Sequence, residues 1–347
     1  MAKAVQPVVL AGGAGTRLWP ISTEKRPKHL LQIVGSGIML TQTLERVSDG
    51  ALFEPPIIVG AAAQADQIAT IAGEASLILE PCARGSAAAV AFAAFSVPAD
   101  AVLLVLPSDH HVTDPAPLLD AVRRGLPAAR SGRLVTFGIQ PTHAETGYGY
   151  IVGGAAIEDG VLNAHSFVEK PVKDVAEKLI RTGNAFWNSG MFMFTAGAFL
   201  QELQRYAPQI YETTKAAFTQ AEREGPRTTP DADALEECPS TSIDYAVMER
   251  SDRIAVIPIK LNWSDVGSWA AVYDLGSKDA DGNVVSGNSR AIDSNGCLIR
   301  SDGPSIVAIG IEDLVVIATG DHVLIVPRSE AQRVREAADA LRRVGAS

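Results

Sequence analysis

The sequence predicts an α/β protein: a mixed, mainly parallel sheet covered by helices, followed by a small β-helix-like domain. Three observations predict it. Short apolar runs alternate with longer, Ala-rich segments through the first part of the chain. A strand buried on both faces reads as a continuous apolar run, and a helix-length segment after each one is the pattern of a parallel sheet with helices on both sides. A glycine-rich loop closes the first apolar run, at the strand end where open α/β sheets bind ligands. Beyond about Ser277 the runs become short, closely spaced and punctuated by polar or glycine turns, as in a stacked coil.

The elements follow in order. Strands are predicted at Pro7–Ala11, Ile57–Gly60, Ser76–Glu80, Ala101–Pro107 and Leu134–Ile139, and helices at Met39–Val47, Ala63–Ala72, Ser86–Phe95 and Leu118–Arg130. The middle region, Gly147 to Val272, mixes short strands with helices at Val172–Thr182, Ala196–Tyr206 and Pro208–Arg223. Glu224–Asp233 reads as an exposed polar loop, and Ser242–Arg250 as a helix with Ser242 or Asp244 near its N-cap. The predicted domains are residues 1–276 and 277–347, the second ending in a helix over Glu330–Val344.

Composition excludes several classes. Net charge is −10, which argues against a basic nucleic-acid surface and requires any anionic substrate to be held by local groups and a metal ion. No apolar run is long enough to span a membrane, and the N-terminus lacks a secretory h-region. Cys82, Cys238 and Cys297 are far apart with no C-x-x-C, which points to plain thiols in a reducing cytoplasm.

The loop itself carries chemistry. Leu10 and Ala11 lead into Gly12-Gly13-Ala14-Gly15-Thr16-Arg17, with Lys28 eleven positions beyond Arg17. Glycines let successive N–H groups approach an anion, Arg17 can fork across phosphate oxygens, and Lys28 is a point charge. Neither the P-loop nor the G-x-G-x-x-G spacing is present. With Trp19-Pro20 and Lys25-Arg26-Pro27-Lys28, the segment G-G-x-G-T-R-L-x-P…K-x-P-K resembles the signature of sugar-phosphate nucleotidylyltransferases, in the form of the mannose-1-phosphate guanylyltransferases. That resemblance implies a Rossmann-like, nucleotidyltransferase/glycosyltransferase-A-like sheet.

Further segments extend the resemblance in order along the chain. Leu106-Pro107-Ser108-Asp109-His110-His111 ends an apolar run, and a carboxylate there is placed to hold a hard cation such as magnesium; read alone, Asp109 also fits a helix cap. Trp263-Ser264-Asp265-Val266-Gly267-Ser268-Trp269 resembles the family's second metal motif, although by itself Asp265 is a turn aspartate. His110 and His111 read as structural, because an ionised sugar phosphate needs no base. Glu80-Pro81-Cys82-Ala83-Arg84-Gly85-Ser86 aligns with a base-binding E-P-x-x-R-N-T-A segment but has Gly and Ser where the family has Asn and Thr, which opens base selectivity.

Thr146-Gly147-Tyr148-Gly149-Tyr150-Ile151 resembles a sugar-binding turn and fits a bulged hairpin equally. The resemblance gives Glu169 to sugar hydroxyls and Lys170 to the sugar phosphate, against the plain reading of a solvated ion pair. It gives Asn188, beside Ser189, to the hexose, and makes the S-I-D-Y-A-V-M-E stretch from Ser242 a support of the sugar pocket.

The reaction implied is magnesium-assisted, in-line transfer of a nucleoside monophosphate from GTP to α-D-mannose 1-phosphate. Arg17, Lys28, Asp109 and Asp265 would be the catalytic set, with Asp109 and Asp265 as metal ligands. The nucleotide would meet Leu10, Ala11, Gly12, Gly13, Gly15, Thr16, Arg17, Glu80, Pro81, Ser108 and Asp109. The sugar phosphate would meet Gly147, Tyr148, Gly149, Glu169, Lys170, Asn188 and Ser189. The family includes longer chains with an isomerase domain, and a monofunctional, homodimeric enzyme is expected here, without nucleic-acid or membrane partners. The alternatives are another hexose 1-phosphate or NTP on the same scaffold, or a sensor that binds a sugar nucleotide without turnover.

Overall fold

The computed structural model describes residues 5–13 and 15–337. Ala14 of the glycine-rich loop, the first four residues and the predicted terminal helix beyond Ala337 lie outside the described residues. The described chain forms two compact units: one holds residues up to Gly12, Thr43–Ser108 and Val112–Trp263, and the other holds Gly13–Gln42, Asp109–His111 and the chain from Ser264.

The first unit is built on an eleven-stranded mixed sheet. Its parallel part runs through Arg227–Thr229, Ser76–Glu80, Ile57–Ala61, Gln6–Ala11 and Val102–Pro107, with neighbours in that order paired in parallel. The long strand Ala185–Thr195 then enters antiparallel between Val102–Pro107 and Leu134–Ile139. Ile254–Ile259 pairs in parallel with Leu134–Ile139, and the antiparallel strands Val161–Val168 and Tyr150–Glu158 complete the sheet. All five strands predicted in the N-terminal part are present.

Burial on both faces explains the continuous apolar runs. The helix Ser86–Phe95 is buried all round, which its Ala-rich sequence permits by leaving no bulky polar face. The helix Ala116–Arg130 packs one amphipathic face on the other side of the sheet. Here sequence and structure differ at two places. The helix from Pro208 stops at Thr219, and Glu222–Glu224 with Arg227–Thr229 form a hairpin that supplies the sheet edge, not a loop. That edge is short, charged and solvated, so it lacks the alternation that marks a half-buried strand. The stretch after Ser242 is a π-helical turn, Asp244–Met248, with Glu249 N donating to Asp244 O at 2.9 Å.

In the second unit, Val284–Ile292, Leu298–Ile309 and Leu314–Thr319 stack in parallel, coil on coil, and His322–Pro327 returns antiparallel. This is the β-helix-like arrangement that the spacing predicts. Asn283 ties the coils together: its Nδ2 donates to Ser294 O at 2.8 Å, and its Oδ1 accepts from Cys297 N at 3.0 Å. Arg328–Arg333 is a 3₁₀ turn, and the chain is helical again at 334–337.

Candidate functional site

The catalytic residues predicted from four separate segments meet within the second unit. Gly15, Thr16, Arg17, Lys28, Asp109, His110, Asp265 and Gly267 line one cavity of about 300 Å³. Arg17 follows the glycines in the 3₁₀ turn Thr16–Leu18, whose Leu18 is fully buried and leaves Arg17 pointing outward. The Trp269 indole donates to Trp19 O at 2.9 Å, which fastens that turn to the Asp265 segment. Trp269 itself is fully buried, so the W-x-D-V-G-x-W pattern has a packing reason as well as a chemical one.

Lys28 is the hub. Its side chain is 7% exposed, and its ammonium lies 2.9 Å from Asp109 Oδ2, 2.6 Å from Asp265 O and 3.4 Å from Val266 O. Three donors on one compact charge thus meet three oxygens on two segments. Burial pushes the Asp109 carboxyl up, but Lys28 and then His110 more than offset it, so its pKa is held below the ordinary value and the group is ionised. Val266 sits at φ 50 although it is β-branched, a conformation that costs of order 1–3 kcal/mol and clusters at functional sites. Its N–H is held by Ser264 Oγ at 3.0 Å, and Gly267 N donates to Asp265 Oδ1 at 3.0 Å. The loop therefore presents the Asp265 carboxylate from a backbone pinned on both sides.

Asp109 and Asp265 are the carboxylates among the described residues that line this cavity. Among the described residues, no group of three or more His, Cys, Asp or Glu side chains forms a metal cage. Two aspartates on a cavity that Arg17 and Lys28 also line fit a hard cation that would take its remaining ligands from phosphate and water.

The first unit holds the other predicted residues. Glu80 ends its strand beside Gly12, where an added Cβ would lie 3.8 Å from Glu80 Oε2. Glu80 is 8% exposed, its Oε1 has no hydrogen-bond partner, and burial raises its pKa to about 7. Ser108 is committed internally, donating its N–H to Leu10 O at 3.0 Å. The departure at Gly85 has a steric cause. Gly85 has φ 82, and a Cβ there would fall 2.4 Å from Thr241 O, so the backbone of residue 241 fills the space that an Asn would need. Arg84 is fixed by Leu235 O and Glu236 O, both at 3.0 Å, and Ser86 Oγ accepts from Ile243 N at 2.9 Å.

The hexose residues also converge. Glu169 Oε1 accepts from Lys170 Nζ at 2.6 Å, and Lys170 stands at φ 47. Burial would lower the Lys170 pKa, but Glu169 outweighs it and the net shift is upward. Gly149 faces both Glu169 and Asn188. Tyr148 stacks edge-on against Trp187 and Trp263, and Gly147 N donates to Glu145 Oε1 at 2.8 Å. The sequence reading missed Asp244, whose Oδ1 accepts from Asn188 Nδ2 at 2.9 Å. It also missed Glu249, which accepts from Glu169 N at 2.8 Å. The resemblance makes the S-I-D-Y-A-V-M-E stretch a support of the sugar pocket, but its two acids lie five positions apart, which a regular helix would not place on one face, so neither side chain receives a role from it.

A strand-end glycine loop, two strand- and turn-borne aspartates and a basic cavity define a nucleotidyltransferase. Residues 6–282 match the nucleotidyl transferase family, and residues 279–341 match the mannose phosphate isomerase/GMP-like β-helix domain, so the chain belongs to the nucleotidyl transferase family. It is 40% identical to a mannose-1-phosphate guanylyltransferase of Klebsiella pneumoniae over 97% of this chain and 74% of that one. It is 38% identical to the alginate biosynthesis protein AlgA of Pseudomonas aeruginosa over 95% of this chain and 70% of that one. A Thermus thermophilus crystal structure, described as a mannose-1-phosphate geranyltransferase, superimposes with a TM-score of 0.87 at 35% identity, covering 98% of this chain and 99% of that one. Among the described residues, no helix is long and apolar enough to cross a membrane.

Proposed function

We propose that this enzyme is a mannose-1-phosphate guanylyltransferase, converting GTP and α-D-mannose 1-phosphate to GDP-mannose and pyrophosphate. The observation that carries this reading is the convergence of Arg17, Lys28, Asp109 and Asp265 on one cavity. A phosphate oxygen of the sugar phosphate attacks the α-phosphorus, the bond to the β-phosphate oxygen breaks, and pyrophosphate leaves. Positioning and charge stabilisation supply most of the acceleration in such transfers. Arg17 neutralises charge growing on the triphosphate, together with the N–H groups of Gly13, Gly15 and Thr16. Lys28 holds the loops that carry Asp109 and Asp265 and adds positive potential at the phosphates. Asp109 and Asp265 would hold magnesium, which would supply positive charge at the phosphates. Lys170 takes the sugar phosphate.

For the base, Glu80 is the discriminating group. Guanine presents adjacent N1–H and amino donors, and a buried carboxylate with an unpartnered oxygen is their complement, whereas adenine offers an acceptor at N1. The Gly85-Ser86 departure therefore leaves guanine choice with Glu80. Exposed Val307, Ile309, Val323 and Ile325 on the C-terminal strands support a homodimer through that domain. The free thiols Cys82, Cys238 and Cys297 support a cytoplasmic location.

The test is pyrophosphate release with magnesium, each of four NTPs, and mannose, glucose, galactose and fucose 1-phosphates. Release with GTP and mannose 1-phosphate alone is expected. Release with another pair would keep the mechanism and change the substrates; a folded protein that binds a sugar nucleotide and releases nothing would be a sensor.

A further inference from the structure

The turn Asp244–Met248 touches the hexose residues at a point for which the transfer reaction gives no reason. Asn188 Oδ1 is already occupied, accepting from Gly190 N at 3.1 Å with Thr136 Oγ1 3.4 Å away. One Nδ2 hydrogen goes to Asp244 Oδ1 at 2.9 Å. The amide therefore has one orientation and one hydrogen left to give. Glu169 is fixed from two sides, through its backbone N–H by Glu249 and through Oε1 by Lys170. Its side chain is 7% exposed, yet its Oε2 is buried with no hydrogen-bond partner among the described residues. A Cβ on Gly149 would collide with that oxygen and fall 3.2 Å from Asn188 Cβ, so the glycine is what lets the Glu169 and Asn188 side chains pack together over residue 149.

An acceptor left unpaired in the interior costs about 1–3 kcal/mol, and a site that must take a hydroxyl is where such a cost persists. Asp244 adds a second acceptor. A carboxylate has about four acceptor positions, and Asn188 and the Ser242 hydroxyl use only part of them. Two acceptors with one donor between them match two adjacent ring hydroxyls. One gives its hydrogen to Glu169 Oε2; its neighbour gives to Asp244 and accepts from Asn188.

We propose that Asp244 is a specificity-determining residue for the hexose, locking the Asn188 amide and receiving a ring hydroxyl beside the one that Glu169 receives; this rests on the nucleotidyl-transfer reading above. Burial, and then the neighbouring Glu169 charge, raise the Asp244 pKa to about 6, as expected where two carboxylates await hydroxyl donors.

The experiment compares wild type, Asp244→Asn and Asp244→Ala, with GTP saturating and α-mannose 1-phosphate or its four monodeoxy analogues varied. Asp244→Asn preserves the acceptor that orients Asn188 and turns the other oxygen into a donor. Its KM for the hexose phosphate should rise about tenfold or more, with the KM for GTP within about twofold. Wild type should discriminate against two monodeoxy analogues at adjacent positions, and the penalty for one of them should collapse in Asp244→Asn, because that missing hydroxyl has no acceptor left to lose. Asp244→Ala should lose kcat as well, since the amide is released.

An unchanged hexose KM, equal rises for both substrates, or an intact deoxy penalty would overturn the proposal while leaving the reaction assignment standing. A folded wild type that neither turns over nor binds α-mannose 1-phosphate by calorimetry would overturn the reaction assignment and this inference with it. Where a variant is too slow to assay, calorimetric affinity for α-mannose 1-phosphate gives the same comparison.

Discussion

Around Lys28, three donors have three internal oxygens; at Glu169, a buried acceptor has no internal donor. The two regions prepare for opposite ligands. On the proposed function, phosphate and magnesium would bring full charges to a cavity already lined by the cluster of Lys28, Asp109 and the Asp265 loop. A hexose would bring only O–H groups, and Glu169, which would meet it on the proposed function, keeps Oε2 without a hydrogen-bond partner among the described residues. Charged ligands exchange with a charge network already built, whereas a neutral ligand completes one that is deliberately short of hydrogens. Lys28 and Asp109 should therefore matter to stability as well as rate, and Glu169 to affinity.

The largest effect that separates the two regions is expected at the aspartates. Asp265→Asn should lower kcat about 10²- to 10³-fold and raise the magnesium concentration needed for half-maximal rate. A magnesium titration of the variant checks this, and an unchanged midpoint would move the metal elsewhere. Asp109→Asn should do the same and also destabilise the fold, because it leaves the buried Lys28 ammonium without its carboxylate; breaking such a pair costs about 3–5 kcal/mol. Urea unfolding of the two variants sharpens the comparison, since Asp109 is the carboxylate that pairs with the Lys28 ammonium at 2.9 Å.

Glu80 comes next. Its carboxyl is ordinarily near 4.5 and rises to about 7 in the fold. The folded state holds a proton that the unfolded state has released, so stability falls as pH rises between those values and the loss is complete above them. Integrated, this is about 3 kcal/mol. Glu80→Gln should remove that loss at pH 8, making the variant more stable there than wild type, while weakening preference for GTP over ATP. Unfolding curves at pH 5 and pH 8 test the first part, and competing-NTP kinetics test the second.

The smallest effect is expected at Gly85→Asn, which restores the family's residue. A Cβ at φ 82 against Thr241 O should cost about 1–3 kcal/mol without improving guanine selectivity. A stable variant with sharper selectivity would show that the Thr241 backbone yields.

The same comparison explains what could be read from the sequence. Strands such as Ser76–Glu80 and Leu134–Ile139 were legible because burial on both faces leaves an apolar run. Arg17, Lys28, Asp109 and Asp265 were legible because each stands in a short motif with its own turn residues. The edge strand Glu222–Glu224 was not, since solvent on both sides erases the pattern. Asp244 was not, because its role depends on a π-helical turn and on Asn188, fifty-six positions away. The meaning of Gly85 was hidden for the same reason: Thr241, which excludes a side chain there, is distant in sequence.

The most direct test of the central claim, that the Arg17–Lys28–Asp109–Asp265 cavity performs the transfer, is kcat for pyrophosphate release by Arg17→Ala at saturating GTP, α-mannose 1-phosphate and magnesium. Arg17 is exposed and has no ion-pair partner among the described residues, so the fold should be unaffected. A fall of about 10³-fold or more with an unchanged melting temperature is the predicted result. A kcat within a few-fold of wild type would place the chemistry outside this cavity and contradict the account.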